Sequence, residues 1–187
     1  MFLILNGGRE ASVNSLSNNI TELFGQLYEQ YLPKVFQYVS YRIGNRSEVE
    51  ELTSIIFEKA LTKFRSYDSR KASFSTWIFS IAHHTIIDYY RRSSREQKYK
   101  AEVSSRSIEF AAPPEDEVTR LEEVQKLREC LSLLNHNEQE LISLKFSGDM
   151  TNREIARITG LSESNVGTIL CRAIRKLRDE FARWQHE

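Results

Sequence analysis

The chain has 187 residues, 40% of them hydrophobic and 28% charged, with 26 basic side chains balanced by 26 acidic ones. That length suits one large domain or two small ones, and the composition is that of an ordinary soluble protein. A formal net charge of zero means that any nucleic-acid binder built from this chain must concentrate its cations locally. No run reaches transmembrane length, so no membrane insertion is expected and a cytoplasmic protein is. Met1 to Leu5 is apolar but too short for a signal peptide, and no basic flank precedes it. Cys130 and Cys171 lack metal-ligand spacing and read as the free thiols of an intracellular protein.

Strand signals are nearly absent, and helical periodicity begins near Thr21. Residues 1–19, rich in Asn, Ser and Gly, are expected to be a disordered arm. Leu23, Leu27, Tyr31, Val35, Val39 and Ile43 mark the first helical stretch, which Pro33 should kink or split. Ser47 and Glu50 have the spacing of a capping box. The helix they open has Val49, Leu52, Ile56, Ala60 and Phe64 on its apolar face. Residues 63–71 are turn-like. A third helix runs from about Ser73 or Ser75 to Arg92, with Phe74, Trp77, Ile78, Ile81, Ala82 and Tyr89 inward.

Composition then shifts. Residues 96–117 have scattered charge, few large apolar side chains and a Pro113-Pro114 pair, and they read as a flexible linker. Helical pattern resumes at Val118, and Asn137 with Glu140 is expected to open a further helix ended by Gly148. The natural parse is all-α: two small helical domains, over 20–95 and 118–184, on a tether.

Thr151 to Arg178 is the most specific segment. Thr151 and Glu154 form a capping box, Gly160 can take a positive φ in a tight turn, and Ser162 is placed to cap the next helix. Val166, Leu170, Ala173, Ile174 and Leu177 then give an apolar stripe. This is the pattern of a helix-turn-helix that sets its second helix in the major groove; an ordinary helical hairpin is the alternative for this segment alone.

Catalysis has no support in the residues. There is no Gly-rich phosphate loop, nucleophile elbow or zinc-protease helix, and the adjacent His83 and His84 diverge from a helix. Neither covalent chemistry nor a cofactor is expected. The second helix carries Glu48, Glu50, Glu51, Ser54 and Glu58 opposite its apolar face, which by itself fits a solvated surface equally well. Arg70 to Trp77 mixes cations, hydroxyls and aromatics in a way that suits single-stranded DNA, although Phe74 and Trp77 share the inner face and read as core. His84, Asp88 and Arg91 share one side of the third helix, with Arg92 and Arg95 extending its basic end; such an end is also ordinary dipole compensation.

Glu50-Glu51-Leu52 followed by Phe57, then Phe74 to Ile78 and Ile86 to Arg92, resemble the second conserved region of bacterial RNA polymerase sigma factors. Thr151 to Arg178 resembles their fourth region, in the same order. The pattern is similar to the extracytoplasmic-function (ECF) group, which keeps only these two domains. The resemblance implies that Glu48, Glu50, Glu51, Ser54 and Glu58 dock on core RNA polymerase. It implies that Lys71, Ser73, His84, Asp88, Arg91 and Arg92 hold the melted, single-stranded minus-ten element. It also implies that the second domain reads the duplex minus-thirty-five element, with Ser164, Asn165 and Thr168 as groove contacts and Arg172, Arg175 and Lys176 on phosphates. An anti-sigma factor is a further partner that it implies. His83 and His84 depart from the basic and amide residues of many relatives, and Gly167 and Ile169 stand where cations are common. A stand-alone helix-turn-helix regulator is the alternative function.

Limited proteolysis of the free protein should cut first between Ser93 and Glu117 and release two helical fragments. Mass spectrometry of the early fragments checks this.

Overall fold

The structure is a computed structural model that describes the backbone of residues 7–100 and 129–184 and the side chains of 21–93 and 129–183. Its elements are α1 (Gly7–Ser40), α2 (Arg46–Lys63), a 3-10 turn (Phe64–Ser66), α3 (Phe74–Lys100), α4 (His136–Ser147), α5 (Asn152–Thr159) and α6 (Glu163–Trp184). Among the described residues there is no strand. Helices α1 to α3 make one domain and α4 to α6 another.

The first domain is a three-helix unit closed around Val35, Tyr38 and Val39 of α1, Leu52 and Ile56 of α2, and Ile78, Phe79 and Ala82 of α3, all buried. One end is aromatic: Phe74 lies 5.4 Å from Trp77, and Tyr67 lies 5.0 Å from Trp77, centroid to centroid. Phe74 is buried and Trp77 half-buried within this cluster, the core role that their inward spacing suggests.

Four local expectations change. Helix α1 starts at Gly7, so residues 7–19 are helical where a loose arm was expected; residues 1–6 lie outside the described chain. Once the 21–40 helix is nucleated, each added residue needs only propagation, which Ser and Asn disfavour weakly. Pro33 does not split α1. It lies on the exposed side, where water can serve the carbonyl that it leaves unbonded. The cap of α2 is Asn45, whose Oδ1 accepts from the backbone N–H groups of Ser47 at 2.9 Å and Glu48 at 3.3 Å. Glu50 is thereby released from capping and pairs with Arg46 at 2.9 Å. Helix α3 extends to Lys100, into the stretch expected to be linker; residues 101–117 of that stretch lie outside the described chain.

In the second domain, α4 opens two residues earlier than its Asn137 and Glu140 suggest. Asn135 and Glu138 form the reciprocal capping box, each side chain accepting from the other's backbone at 3.0 Å. Glu140 is left free of the helix start. Helix α5 has the expected Thr151–Glu154 box and ends at Gly160, φ 74°. Ser162 Oγ accepts from Asn165 N at 3.2 Å, which caps α6 as read. Ile155, Ile158, Val166, Leu170 and Ala173 then bury between α5 and α6 against Leu141 and Leu144 of α4.

The domains touch. Helix α4 packs on α1, and α5 and the turn before it pack on the start of α3. Tyr90 of α3 meets His136 of α4 with rings 5.6 Å apart, and Ser75 Oγ donates to the Gly148 carbonyl at 3.3 Å.

Gly25 and Gly160, each with open space for a Cβ, should respond oppositely. A Cβ on Gly160 or on Gly25 meets nothing within 4 Å, and only Gly160 has a positive φ. Gly160→Ala should destabilise by about 1–2 kcal/mol through left-handed strain, whereas Gly25→Ala, inside α1, should stabilise by about 0.5–1 kcal/mol. Chemical denaturation of each variant measures both signs.

Candidate nucleic-acid and polymerase interfaces

Burying Val166, Leu170 and Ala173 turns the other side of α6 outward. Ser164, Asn165, Thr168, Arg172, Arg175 and Lys176 are all exposed on that helix. The Thr168 hydroxyl donates to the Ser164 carbonyl at 3.0 Å, which fixes its rotamer and leaves oxygen lone pairs outward. Lys176 differs from its neighbours. Its Nζ donates to both carboxylate oxygens of Glu138, at 2.8 and 2.9 Å, and the Glu138 side chain is only 7% exposed. Burial pushes the Glu138 carboxyl upward, but the Lys176 ammonium and the Asn135 N–H outweigh it and hold it below its ordinary value. Lys176 therefore tethers α6 to the capping box of α4 while Arg175 lies exposed beside it.

At the start of α3, Ser73 Oγ accepts from Thr76 N at 3.2 Å and lies 2.9 Å from Thr76 Oγ1. The loop before it is shaped by Asp68, which takes both Nε and Nη2 of Arg70 at 2.9 Å, and by Tyr67, whose hydroxyl donates to the Ala72 carbonyl at 3.1 Å. Lys71 and Ser73 are exposed on this loop, and His84, Asp88, Arg91 and Arg92 are exposed along α3. His84 Nδ1 donates to Ser80 O at 2.6 Å in its own helix. The Asp88–Arg91 approach of 3.9 Å, between side chains both more than half exposed, contributes little.

On α2, Glu50, Glu51, Ser54 and Glu58 are exposed and Glu48 is half-buried, accepting from the Tyr89 hydroxyl at 2.6 Å. Glu48, Glu51, Leu52, Ile55, Tyr89 and Arg92 line an open cleft between α2 and α3. Its lining mixes the carboxylates of Glu48 and Glu51 with the apolar side chains of Leu52 and Ile55.

A cluster that sequence reasoning missed lies where the domains meet. Glu140 of α4 places Oε1 2.5 Å from His83 Nδ1, 3.1 Å from an Arg42 guanidinium nitrogen and 3.2 Å from the Tyr38 hydroxyl. The side chains of Arg42 and Glu140 are 4% and 12% exposed. Burial opposes ionisation of Glu140, but the His83 hydrogen bond and the Arg42 charge outweigh it, so its carboxyl is held below the ordinary value. Burial and the adjacent carboxylate push the Tyr38 phenol well up, so it donates as a neutral hydroxyl. The partners lie 57 and 102 residues apart in sequence, and no local pattern joins them.

Comparison with known proteins places both halves. The Sigma-70 region 2 family model matches residues 27–96, and the Sigma-70 region 4 model matches residues 124–177. RNA polymerase sigma factor YlaC of Bacillus subtilis is 30% identical over 86% of this chain and 93% of its own length. The chain belongs to the ECF group of the sigma-70 family. ECF RNA polymerase sigma factor BldN of Streptomyces coelicolor is also 30% identical over 83% of this chain, which spans 59% of BldN. Among solved structures, the sigma factor RpoE from Bartonella quintana, in complex with the anti-sigma factor NepR, superposes with a TM-score of 0.73. It is 19% identical, covering 85% of this chain and 96% of RpoE. CnrH, in complex with the cytosolic domain of CnrY, gives a TM-score of 0.63 at 22% identity, covering 87% and 90%. At these identities the likeness to the two structures is one of fold. Within this sigma factor the residues expected at the minus-thirty-five, minus-ten and polymerase surfaces fall on three separate faces, those of α6, of α3 with its leading loop, and of α2.

Replacing Lys176 with Ala should lower stability by about 1 kcal/mol, because Glu138 loses the donor that compensates its burial. Replacing Arg175 with Ala should leave stability within about 0.5 kcal/mol and reduce the salt slope of DNA binding by about one unit. Denaturation curves and a salt titration of each variant separate the two roles.

Proposed function

We propose that this sigma factor docks on core RNA polymerase through α2, reads a minus-thirty-five element with α6 and holds the melted minus-ten strand with the loop before α3. It performs no covalent step and works in the cytoplasm; among the described residues no helix is long and apolar enough to cross a membrane. The observation that carries the reading is the capped helix-turn-helix joined to an acidic α2, matched in order by the two family regions.

Each part has a physical basis. The first turns of α6 present Ser164, Asn165 and Thr168, short polar side chains that can reach base edges in a major groove. Arg172 and Arg175 lie further along, where phosphates are met. Glu50, Glu51 and Glu58 give α2 an exposed anionic face that suits a basic partner surface, and half-buried Ile55 in the neighbouring cleft can meet its apolar side chains. Lys71 and the hydroxyls at the start of α3 suit a single strand. The complex in which RpoE was solved, with the anti-sigma factor NepR, supports an anti-sigma protein as a further partner here.

Gel-shift of promoter DNA with and without core polymerase tests the reading. Binding should require core; a shift by the chain alone would favour a stand-alone helix-turn-helix regulator. Glu51→Lys should weaken core binding at least tenfold while helicity is unchanged, since an exposed charge reversal costs little folding stability but opposes a complementary surface. Unaltered affinity for core would remove α2 from the interface.

A further inference from the structure

The hydrogen-bonding character of His84 is fixed by its own helix. Its Nδ1 lies 2.6 Å from the Ser80 carbonyl oxygen, and a carbonyl can only accept, so Nδ1 carries a proton and donates. In the neutral ring the remaining nitrogen, Nε2, then has a lone pair and no hydrogen. The two nitrogens diverge, so Nε2 is turned away from Ser80, and the ring is exposed. A second contact holds it there. The His83 ring meets it edge to face at 5.2 Å, and His83 is itself buried and bonded to Glu140. His84 thus presents an outward-facing acceptor in a set orientation.

Its neighbours on that face of α3 extend the pattern. Asp88 lies one turn further along, near enough for the two side chains to serve one ligand group. A carboxylate is also an acceptor only. Arg91 approaches one of its oxygens at 3.9 Å, with both side chains more than half exposed, so Asp88 is not used up by that pair. Ile87 is 38% exposed and offers apolar surface to the face of an unstacked base. Arg91, a further turn on, is a cation for the adjoining phosphate.

We propose that His84 is a specificity-determining residue. With Asp88 it accepts hydrogen bonds from the exocyclic amino group of one unstacked base in the melted minus-ten strand, so that position takes adenine, cytosine or guanine and rejects thymine. This rests on the function proposed above, which brings this face of α3 to single-stranded DNA. An amino group carries two hydrogens and can meet two acceptors. Thymine has carbonyl oxygens in place of an amino group, and they meet Nε2 and the carboxylate lone pair against lone pair. A site built to accept rejects such an analogue through the polar groups that it leaves unpaired. A cationic side chain at position 84 would give the opposite code, because it only donates.

The test uses holoenzyme assembled from the full chain and core polymerase. Selection at neutral pH from single-stranded DNA randomised over the minus-ten region should recover one position depleted of thymine. The selected base there is then replaced by its deaminated counterpart, uracil for cytosine or hypoxanthine for adenine or guanine. This exchanges or removes the amino group at nearly constant size and should weaken binding about tenfold. His84→Leu, which removes the acceptor, should erase both effects. His84→Lys, which can only donate, should erase them too and favour the deaminated base; circular dichroism checks that both variants keep their helices. A wild type with no thymine-depleted position, a depletion that deamination does not reproduce, or a variant that retains the preference would each overturn the assignment. A leucine variant that binds every sequence equally less well, with a lower salt slope, would also overturn it, by placing a protonated ring on a phosphate. Failure of the functional reading has a different signature and takes this inference with it: no complex of the wild-type chain with core, or a holoenzyme that retains no single-stranded DNA of any sequence.

Discussion

The arrangement of the two domains depends on one carboxylate leaving water. Glu140 is carried by α4 of the second domain, and its oxygen is met by an imidazole, a guanidinium and a phenol that all belong to the first. Unpaired, a carboxylate at this depth would take up a proton or draw in water; with His83 and Arg42 beside it the charge is retained. The pairing is directional as well as electrostatic. Tyr38 and His83 accommodate one carboxylate position, and α4 is thereby set in one register against α1 and α3.

Beneath that contact each domain packs its own helices together. The first is closed by aliphatic packing at its centre and by the Phe64, Tyr67, Phe74 and Trp77 rings at one end. The second is held by small, well-capped elements. Helix α5 is only eight residues long, too short to persist alone in water, and it is sustained by its capping box, by the left-handed Gly160 and by Ile155 and Ile158 against α6. Lys176 adds a tie from α6 back to the start of α4. These devices fix the angle at which α6 is presented, so the placement of its exposed face is set by the caps and the core behind it.

A neutral chain that handles nucleic acid must segregate its charge, and this one does so by face. Carboxylates gather on α2, while Arg172 and Arg175 lie along the exposed side of α6 and Arg91 and Arg92 along that of α3. Each of these helices also carries the opposite sign, with Arg46, Lys59 and Lys63 on α2, Asp88 on α3 and Glu163, Asp179 and Glu180 on α6, so the separation belongs to exposed patches and not to whole helices. Glu140 and Glu154 both sit at the domain contact, and both are held ionised by donors around them.

Much of the fold was legible because helices advertise themselves locally. Periodicity located the buried stripes of α2, α3 and α6. The Thr151–Glu154 box, Gly160 and the Ser162 cap marked the helix-turn-helix to the residue, since each acts within four positions of its own backbone. Where two caps competed, sequence alone chose wrongly: Ser47 with Glu50 and Asn137 with Glu140 have the right spacing, yet Asn45 and Asn135 start the helices. The choice is made by where the preceding chain turns and which side chains the rest of the fold then claims. Glu140 is the clearest instance, a residue with the spacing of a local cap whose partners are far away in the chain. By itself the sequence determined two helical domains, their order, and the exposed residues of α2, α3 and α6, because period and capping are local properties. Only the tertiary structure decided that the domains meet, that Lys176 is tied to Glu138, and that His83 is buried while its neighbour His84 faces water. Those outcomes depend on which distant surfaces exclude solvent together.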